Sequence, residues 1–314
     1  MSVKVSIVML VYNHARFLAQ ALDSILAQET DFDYELIVGE DCSPDDSRAI
    51  LREYEAKFGI AMKPQYRDVN LGIAGNLADC LGRCRGEYVA FLEGDDYWTD
   101  PQKLQRQADF LDAHPDFLMT YHNCDVVDIN GGFIKKRSER TEYYEYSLRD
   151  FESFRIPGQT CTLMARNETD RSNGNTAAVL AKYRRIPIDR SAVLLSLTRG
   201  RIAVLPESMS AYRYYLEQNG TNWSSRYGGM SQLAPMQFYF MKRDIEKLAA
   251  ELGLPLDFRR ARMTEFKRTR HMRSWKGYSE LLMLLQGGLI VLMEGHPVRF
   301  LREYARIKDE LVLD

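Results

Sequence analysis

Three carboxylates stand within four residues at Glu93-Gly94-Asp95-Asp96, directly after the apolar run 87–92. Like charges at that spacing repel, and a divalent cation relieves the repulsion. An oxygen-only ligand set suits Mg²⁺ or Mn²⁺, which commonly share their coordination shell with substrate phosphates. The apolar run reads as a buried strand, and open α/β sheets bind ligands just beyond the carboxyl ends of their strands. Two further polar loops follow strand-like runs: Tyr12-Asn13 after 3–11, and Glu40-Asp41 after 34–38. In a parallel sheet the three loops share one edge and line a single crevice. The chemistry implied is a metal-assisted reaction on a diphosphate compound.

The elements that must position these loops are legible as an alternating series. Phe17, Leu18, Ala21, Leu22, Ile25 and Leu26 repeat at helical spacing after the first strand. Ile50, Leu51, Tyr54 and Phe58 mark a second helix, with Ser43 or Asp45 in place to cap it. A strand over 62–67, a helix over 76–85 and the strand at 87–92 complete a βαβαβαβ series, which implies a mainly parallel sheet with right-handed crossovers. Beyond it, 117–127, 159–165, 202–205 and 208–214 read as strands and 189–199 as a helix. From about residue 231 the pattern turns helical.

At 314 residues, with 45% hydrophobic and 27% charged residues, the chain is long enough for a sizeable core. Its net charge of −2 gives no sign of a nucleic-acid binder. Five scattered cysteines argue against a disulfide framework and for a reducing compartment. Cys80 and Cys84 fall with Leu77 and Leu81 on one helical face, so they are expected in the core rather than on a metal. The apolar start, 3–11, runs straight into Tyr12-Asn13-His14 without a small-residue cleavage site, and so reads as a strand rather than a signal peptide.

Taken together, Ser6 to Asn13, Glu40-Asp41-Cys42-Ser43-Pro44-Asp45, Asn70-Leu71-Gly72, Arg85-Gly86-Glu87-Tyr88 and Glu93-Gly94-Asp95-Asp96 resemble the family-2 glycosyltransferases. The continuation Tyr97-Trp98-Thr99-Asp100-Pro101-Gln102-Lys103-Leu104 is also typical of bacterial members. The resemblance covers about 3–215 and implies the α/β GT-A fold, which holds a nucleotide-sugar and a divalent metal. It implies that Tyr12 and the strand end before it flank the nucleobase, that Asn13 belongs to the nucleotide site, that Glu40 and Asp41 meet the base or ribose, and that Asn70 lies near the nucleotide. Asp95 and Asp96 match the metal motif, the final acid contacting Mn²⁺ or Mg²⁺. Asp189, before a helical run, matches the acceptor-side general base, with Asp125 and Asp128 as alternatives; it also fits a helix N-cap. The family more often has Asp where Glu40 and Glu93 stand, Gly where Cys42 stands, and an aromatic residue where Arg190 stands.

The expected organisation is a GT-A domain over 1–215, with a nucleotide-sugar and metal half at 1–115 and an acceptor half at 116–215, followed by a helical extension at 216–314. The expected reaction moves a sugar from a nucleoside-diphosphate-sugar to a saccharide or lipid-linked hydroxyl with inversion, in cell-surface polysaccharide synthesis. The alternatives are a catalytically inactive nucleotide-sugar-binding or assembly subunit, and a nucleotidyltransferase. The latter would carry a Gly-rich N-terminal loop, and Tyr12-Asn13-His14-Ala15-Arg16 has none. Trp98 suits either a sugar-facing plane or the core. A cytoplasmic location is expected, with peripheral contact to anionic membrane through 259–293. There, 259–276 carries eight basic residues against one acid, ahead of an apolar stretch at 281–293 too short to span a bilayer.

Overall fold

The computed structural model describes residues 3–167, 182–183, 186–215, 235–258 and 261–262. The chain divides into two compact units, Met1–Ser225 and Arg226–Asp314. The first unit is built on a ten-stranded sheet, ordered β3-β2-β1-β4-β9-β6-β10-β5, with β7 on β6 and β8 on β10. The strands are β1 (Val5–Val11), β2 (Tyr34–Glu40), β3 (Met62–Tyr66), β4 (Tyr88–Phe91), β5 (Tyr97–Trp98), β6 (Phe117–Val127), β7 (Phe133–Lys136), β8 (Tyr144–Tyr146), β9 (Met164–Arg166) and β10 (Arg201–Arg213). The helices of this unit are α1 (Ala15–Leu26), α2 (Ser47–Phe58), α3 (Gly72–Leu81), α4 (Lys103–Ala113), α5 (Leu148–Glu152) and α6 (Ile188–Leu197).

The half that carries the three polar loops is wholly parallel: β1 pairs with β2 and β4, and β2 pairs with β3. Strands β1, β2 and β4 are buried on both faces, as parallel strands covered by crossover helices are, while the edge strand β3 is half-buried. On one face Ile7, Met9 and Val11 meet Leu18, Leu22 and Ile25 of α1. On the other, Val8, Ile37 and Val89 pack with Cys80 of α3, with Leu77, Leu81 and Cys84 against them. The cysteine face of α3 is therefore core, and all five cysteines are free. Gly86 lets β4 approach β1: a Cβ there would stand 2.4 Å from the Ser6 nitrogen. The second half is mixed. β9 runs antiparallel to both β4 and β6, and β10 runs parallel to β6 over the longest ladder.

Three expectations are corrected, and the open reading of Trp98 is decided. The stretch 159–165 is not one strand: a 3₁₀ turn at Thr160–Thr162 precedes β9. The runs 202–205 and 208–214 are a single strand, β10, with register shifts between Leu205 and Ser210. Neither Ser43 nor Asp45 is the N-cap of α2, which is Asp46; Asp45 instead accepts hydrogen bonds from the Ser47 and Ala15 N–H groups at 3.0 and 2.9 Å. Trp98 is 4% exposed, with its indole N–H donating to the Cys161 carbonyl at 3.0 Å. It is core, because its only polar atom is satisfied internally.

The second unit contains α7 (Pro235–Glu251), which buries Tyr239, Met241, Ile245, Leu248 and Ala249. It ends at Gly253, φ +71°, where the Leu254 N–H reaches the Ala249 carbonyl and the Gly253 N–H the Ala250 carbonyl. This paired closure needs the left-handed conformation that glycine adopts freely. The basic and apolar stretches at 259–293 lie outside the described residues apart from Ala261 and Arg262. No helix among the described residues is long and apolar enough to cross a membrane.

Candidate active site

The loops after β1, β2 and β4 meet at one sheet edge, as parallel topology requires. The first is stapled to the second by three backbone donors. The N–H groups of Asn13, His14 and Ala15 reach Ser43 Oγ, Ser47 Oγ and Asp45 Oδ2 at 3.1, 3.0 and 2.9 Å. Burial opposes ionisation of Asp45, but the bonds from Ser47 and Ala15 hold its carboxyl below the usual range. Asn13 and Cys42 both sit at φ 60°, so each strand exit turns through a left-handed residue. Tyr12 is 37% exposed at this edge.

Glu40 and Asp41 are buried, each with identified partners. The Glu40 carboxylate accepts from Arg48 Nε at 2.7 Å and from the Ser43 N–H at 2.6 Å. The Asp41 carboxylate accepts from the Leu71 and Gly72 N–H groups at 2.7 and 3.0 Å, and Asn70 Nδ2 donates to the Asp41 carbonyl at 3.0 Å. Asp41 therefore satisfies the open N-terminus of α3 from a neighbouring loop, because α3 has no side-chain cap of its own. Asp41→Ala is expected to lower stability by about 1–2 kcal/mol. It should also loosen the 70–72 turn, seen as faster amide exchange at Leu71 and Gly72. Unchanged exchange there would contradict the role.

The third loop carries the acids. Asp96 is 3% exposed and its Oδ1 accepts the Arg213 N–H at 2.8 Å. Asp95 is more accessible: its Oδ2 accepts from Tyr215 at 3.5 Å, and its Oδ1 lies 4.0 Å from His14 Nε2. Among the described residues none of the three acids pairs with a lysine or arginine. The electrostatics follow. Burial, then the Asp95 charge, push Glu93 up to about 8, with a further contribution from Asp189 and a partial offset from the Thr160 hydrogen bond. Burial, Asp95 and Glu93 hold Asp96 well above the usual carboxylate range.

Asp189 lies in the first turn of α6, half-buried. Its charge acts on both Glu93 and Tyr121, so the fold brings it within electrostatic reach of the acidic loop. The residue preceding the helix, Pro187, takes the N-cap position, so Asp189 is not the N-cap.

Arg213 was not singled out by its sequence, since nothing local distinguishes an arginine at a strand end. It is 3% exposed, donating from Nε to the Asp95 carbonyl at 2.9 Å and from Nη2 to Gln20 Oε1 at 2.8 Å. Its guanidinium lies over the Phe17 ring, 4.4 Å from the centroid. It ties the end of β10 to the acidic loop and to α1.

The site suits a hard cation. The carboxylates offer only oxygen donors, and among the described residues no lysine or arginine side chain pairs with them. Among the described residues no three or more His, Cys, Asp or Glu side chains converge to hold a metal alone. Mg²⁺ and Mn²⁺ are commonly held by one or two carboxylates, with water and phosphate completing the shell.

Comparison with known proteins bears on the family and the fold. The chain is 34% identical over 223 residues to the uncharacterised protein Rv1520 of Mycobacterium tuberculosis, covering 66% of this chain and 58% of that relative. It is 29% identical over 262 residues to the poly(ribitol-phosphate) beta-N-acetylglucosaminyltransferase TarS of Staphylococcus aureus, covering 79% of this chain and 41% of the relative. This chain thus spans little more than half the length of the first relative and less of the second. The crystal structure of TarS in complex with UDP-GlcNAc superposes with a TM-score of 0.57 at 22% identity, covering 83% of this chain and 70% of that one. The family profile "Glycosyl transferase family 2" matches residues 6–172, more than half of the sequence. With its α/β sheet and its polar loops on one edge, the chain belongs to glycosyl transferase family 2.

Proposed function

We propose that this glycosyltransferase moves a sugar from a nucleoside-diphosphate-sugar to a hydroxyl of a saccharide or lipid-linked acceptor, with inversion, in the synthesis of a cell-surface polysaccharide. The observation that carries the reading is the buried acidic loop at the sheet edge, whose charge no lysine or arginine of the described residues neutralises. Asp95 and Asp96 would hold Mn²⁺ or Mg²⁺, which when bound neutralises charge developing on a diphosphate leaving group. Tyr12 and Asn13 would flank the nucleobase. Glu40, Asp41 and Asn70 would act on the nucleotide side, Glu40 and Asp41 chiefly by fixing the turns that line it. A uridine donor is the first to test, because the TarS structure was solved with UDP-GlcNAc.

On the opposite side Asp189 accepts the proton of the acceptor hydroxyl as its oxygen attacks the anomeric carbon. The bond from that carbon to the diphosphate oxygen breaks in the same displacement, so the configuration inverts. Among the described residues no hydrogen bond or ion pair occupies the Asp189 carboxylate, which leaves it available as a base.

A thermal-shift screen of UDP-, GDP-, dTDP- and CDP-sugars with and without Mn²⁺ tests the donor side. One family of donors is expected to raise Tm selectively and only with the metal. Asp189→Ala is expected to keep that shift but to lower transfer by about 10²–10⁴-fold, the usual contribution of a positioned base. No shift with any donor, or normal transfer by the variant, would reject the assignment.

A further inference from the structure

Beside the register shifts of β10 lies a cavity of about 440 Å³. It is separate from the acidic crevice, since neither Asp41, Glu93, Asp95 nor Asp96 lines it. Three arginines do: Arg137 after β7, Arg140 before β8, and Arg155 after α5. Arg137 is half-buried and donates from Nη2 to the Ile156 carbonyl at 3.2 Å. Arg140 lies over the Tyr144 ring, 4.1 Å from its centroid. Among the described residues none of the three is paired with a carboxylate. Glu142 and Asp150 also line the cavity, but Asp150 Oδ2 is taken by the Ser147 N–H and hydroxyl at 3.0 and 2.7 Å.

A fourth guanidinium borders the same wall. Arg190 is 5% exposed, stacks 3.9 Å from the centroid of the cavity residue Phe154, and donates from Nη2 to the Phe154 carbonyl at 3.2 Å. Its Nη1 is buried without a hydrogen-bond partner. Burial lowers the Arg190 pKa; the neighbouring Asp189 charge works against that shift, and the positive charge of Arg137 adds to it. Glu142 and Asp150 balance part of this positive charge, and an anion seated among the guanidinium groups would balance the remainder. Guanidinium forks match the two oxygens of a phosphate or carboxylate. The remaining wall, Ile156, Pro157, Val204 and Leu205 with Phe154, suits a carbon skeleton.

We propose that this cavity is an oxyanion subsite for a phosphate or carboxylate group carried on a polyol or sugar, and that it reads the charge of the acceptor. The second clause rests on the transferase reading, and α6 supports it by carrying Asp189 next to Arg190. The first clause stands without it.

The test titrates the full chain with glycerol 3-phosphate, with glucuronate, and with glycerol as the uncharged control, by calorimetry. At least one anion is expected to saturate a single site while glycerol does not; which anion binds identifies phosphate or carboxylate as the group selected. Arg155→Gln is expected to weaken binding about tenfold, and Arg140→Gln with Arg155→Gln to weaken it further, because each removes a charge-assisted hydrogen bond. Both side chains are exposed and without ion pairs among the described residues, so the fold persists; an unchanged Tm shift with nucleotide-sugar and Mn²⁺ verifies it. Failure of both anions to bind, or equal affinity in the double variant, overturns the subsite. Arginine-dependent anion binding in a protein that no nucleotide-sugar stabilises would uphold the subsite and reject the transferase reading instead.

Discussion

Asp96→Asn is expected to abolish the Mn²⁺-dependent rise in Tm produced by a nucleotide-sugar and to lower transfer on the order of 10³-fold, while barely altering the stability of the protein without metal. The two effects separate for a physical reason. Asparagine keeps an oxygen that can accept the Arg213 N–H, so the loop retains its anchor. Burial and the neighbouring Asp95 and Glu93 already resist ionisation of Asp96, so removing its charge relieves little strain. We expect the change in unfolding free energy without metal to stay within about 1 kcal/mol. A cation, by contrast, loses a charged ligand, and charge stabilisation of a leaving group is typically worth several kcal/mol. Denaturant melts and donor thermal shifts on the same two proteins decide it. A variant that still gains Tm from donor and Mn²⁺ would remove Asp96 from the metal.

Lys103→Met is expected to raise stability by about 1–4 kcal/mol at pH 7, with the gain shrinking as pH rises towards 9.5. Lys103 opens α4 with its side chain wholly buried, its Nζ without a hydrogen-bond partner and 4.0 Å from the centroid of the Trp98 ring. Burial lowers its pKa from 10.5 to about 7. Between those two values the unfolded chain holds a proton that the folded chain has released. Raising the pH through this window therefore favours the folded state, by up to about 1.4 kcal/mol per pH unit. Below about 7 both states are protonated and this group adds no further slope. Methionine removes the titration and fills much the same space. Urea melts of both proteins from pH 7 to 9.5 should converge; stability curves that run parallel would show that the ammonium is not desolvated as described.

The chemistry of the candidate site was legible wherever it lay in short local spacing. The alternation of apolar runs and helical repeats located β1 to β4 and α1 to α3, and the loops between them carried Asn13, Asp41, Asp95 and Asp96 to one edge. The departure at position 42 also acquires a reason. Cys42 holds φ 60°, where glycine is unstrained and a side chain is not, so the glycine usual in the family matches the backbone better. What stayed hidden depends on burial of charge. Nothing in the local sequence marks Lys103, Arg190 or Arg213 as buried, and only tertiary packing shows each of them desolvated. Trp98 offered no local sign of the Cys161 carbonyl that holds it in the core. The 3₁₀ turn at Thr160–Thr162 interrupts a run whose composition suits a strand; the Thr162 and Leu163 N–H groups turn back to the Gln159 and Thr160 carbonyls, both at 3.0 Å.

The position of β9 has a mechanical consequence. It is hydrogen-bonded to β4 on one side and to β6 on the other, so a single ladder runs through both halves of the first unit. Swinging those halves apart would tear main-chain bonds in a buried interior, which is far costlier than moving a surface segment. Opening and shutting around substrates must therefore fall to the connecting segments, over a bed that does not hinge.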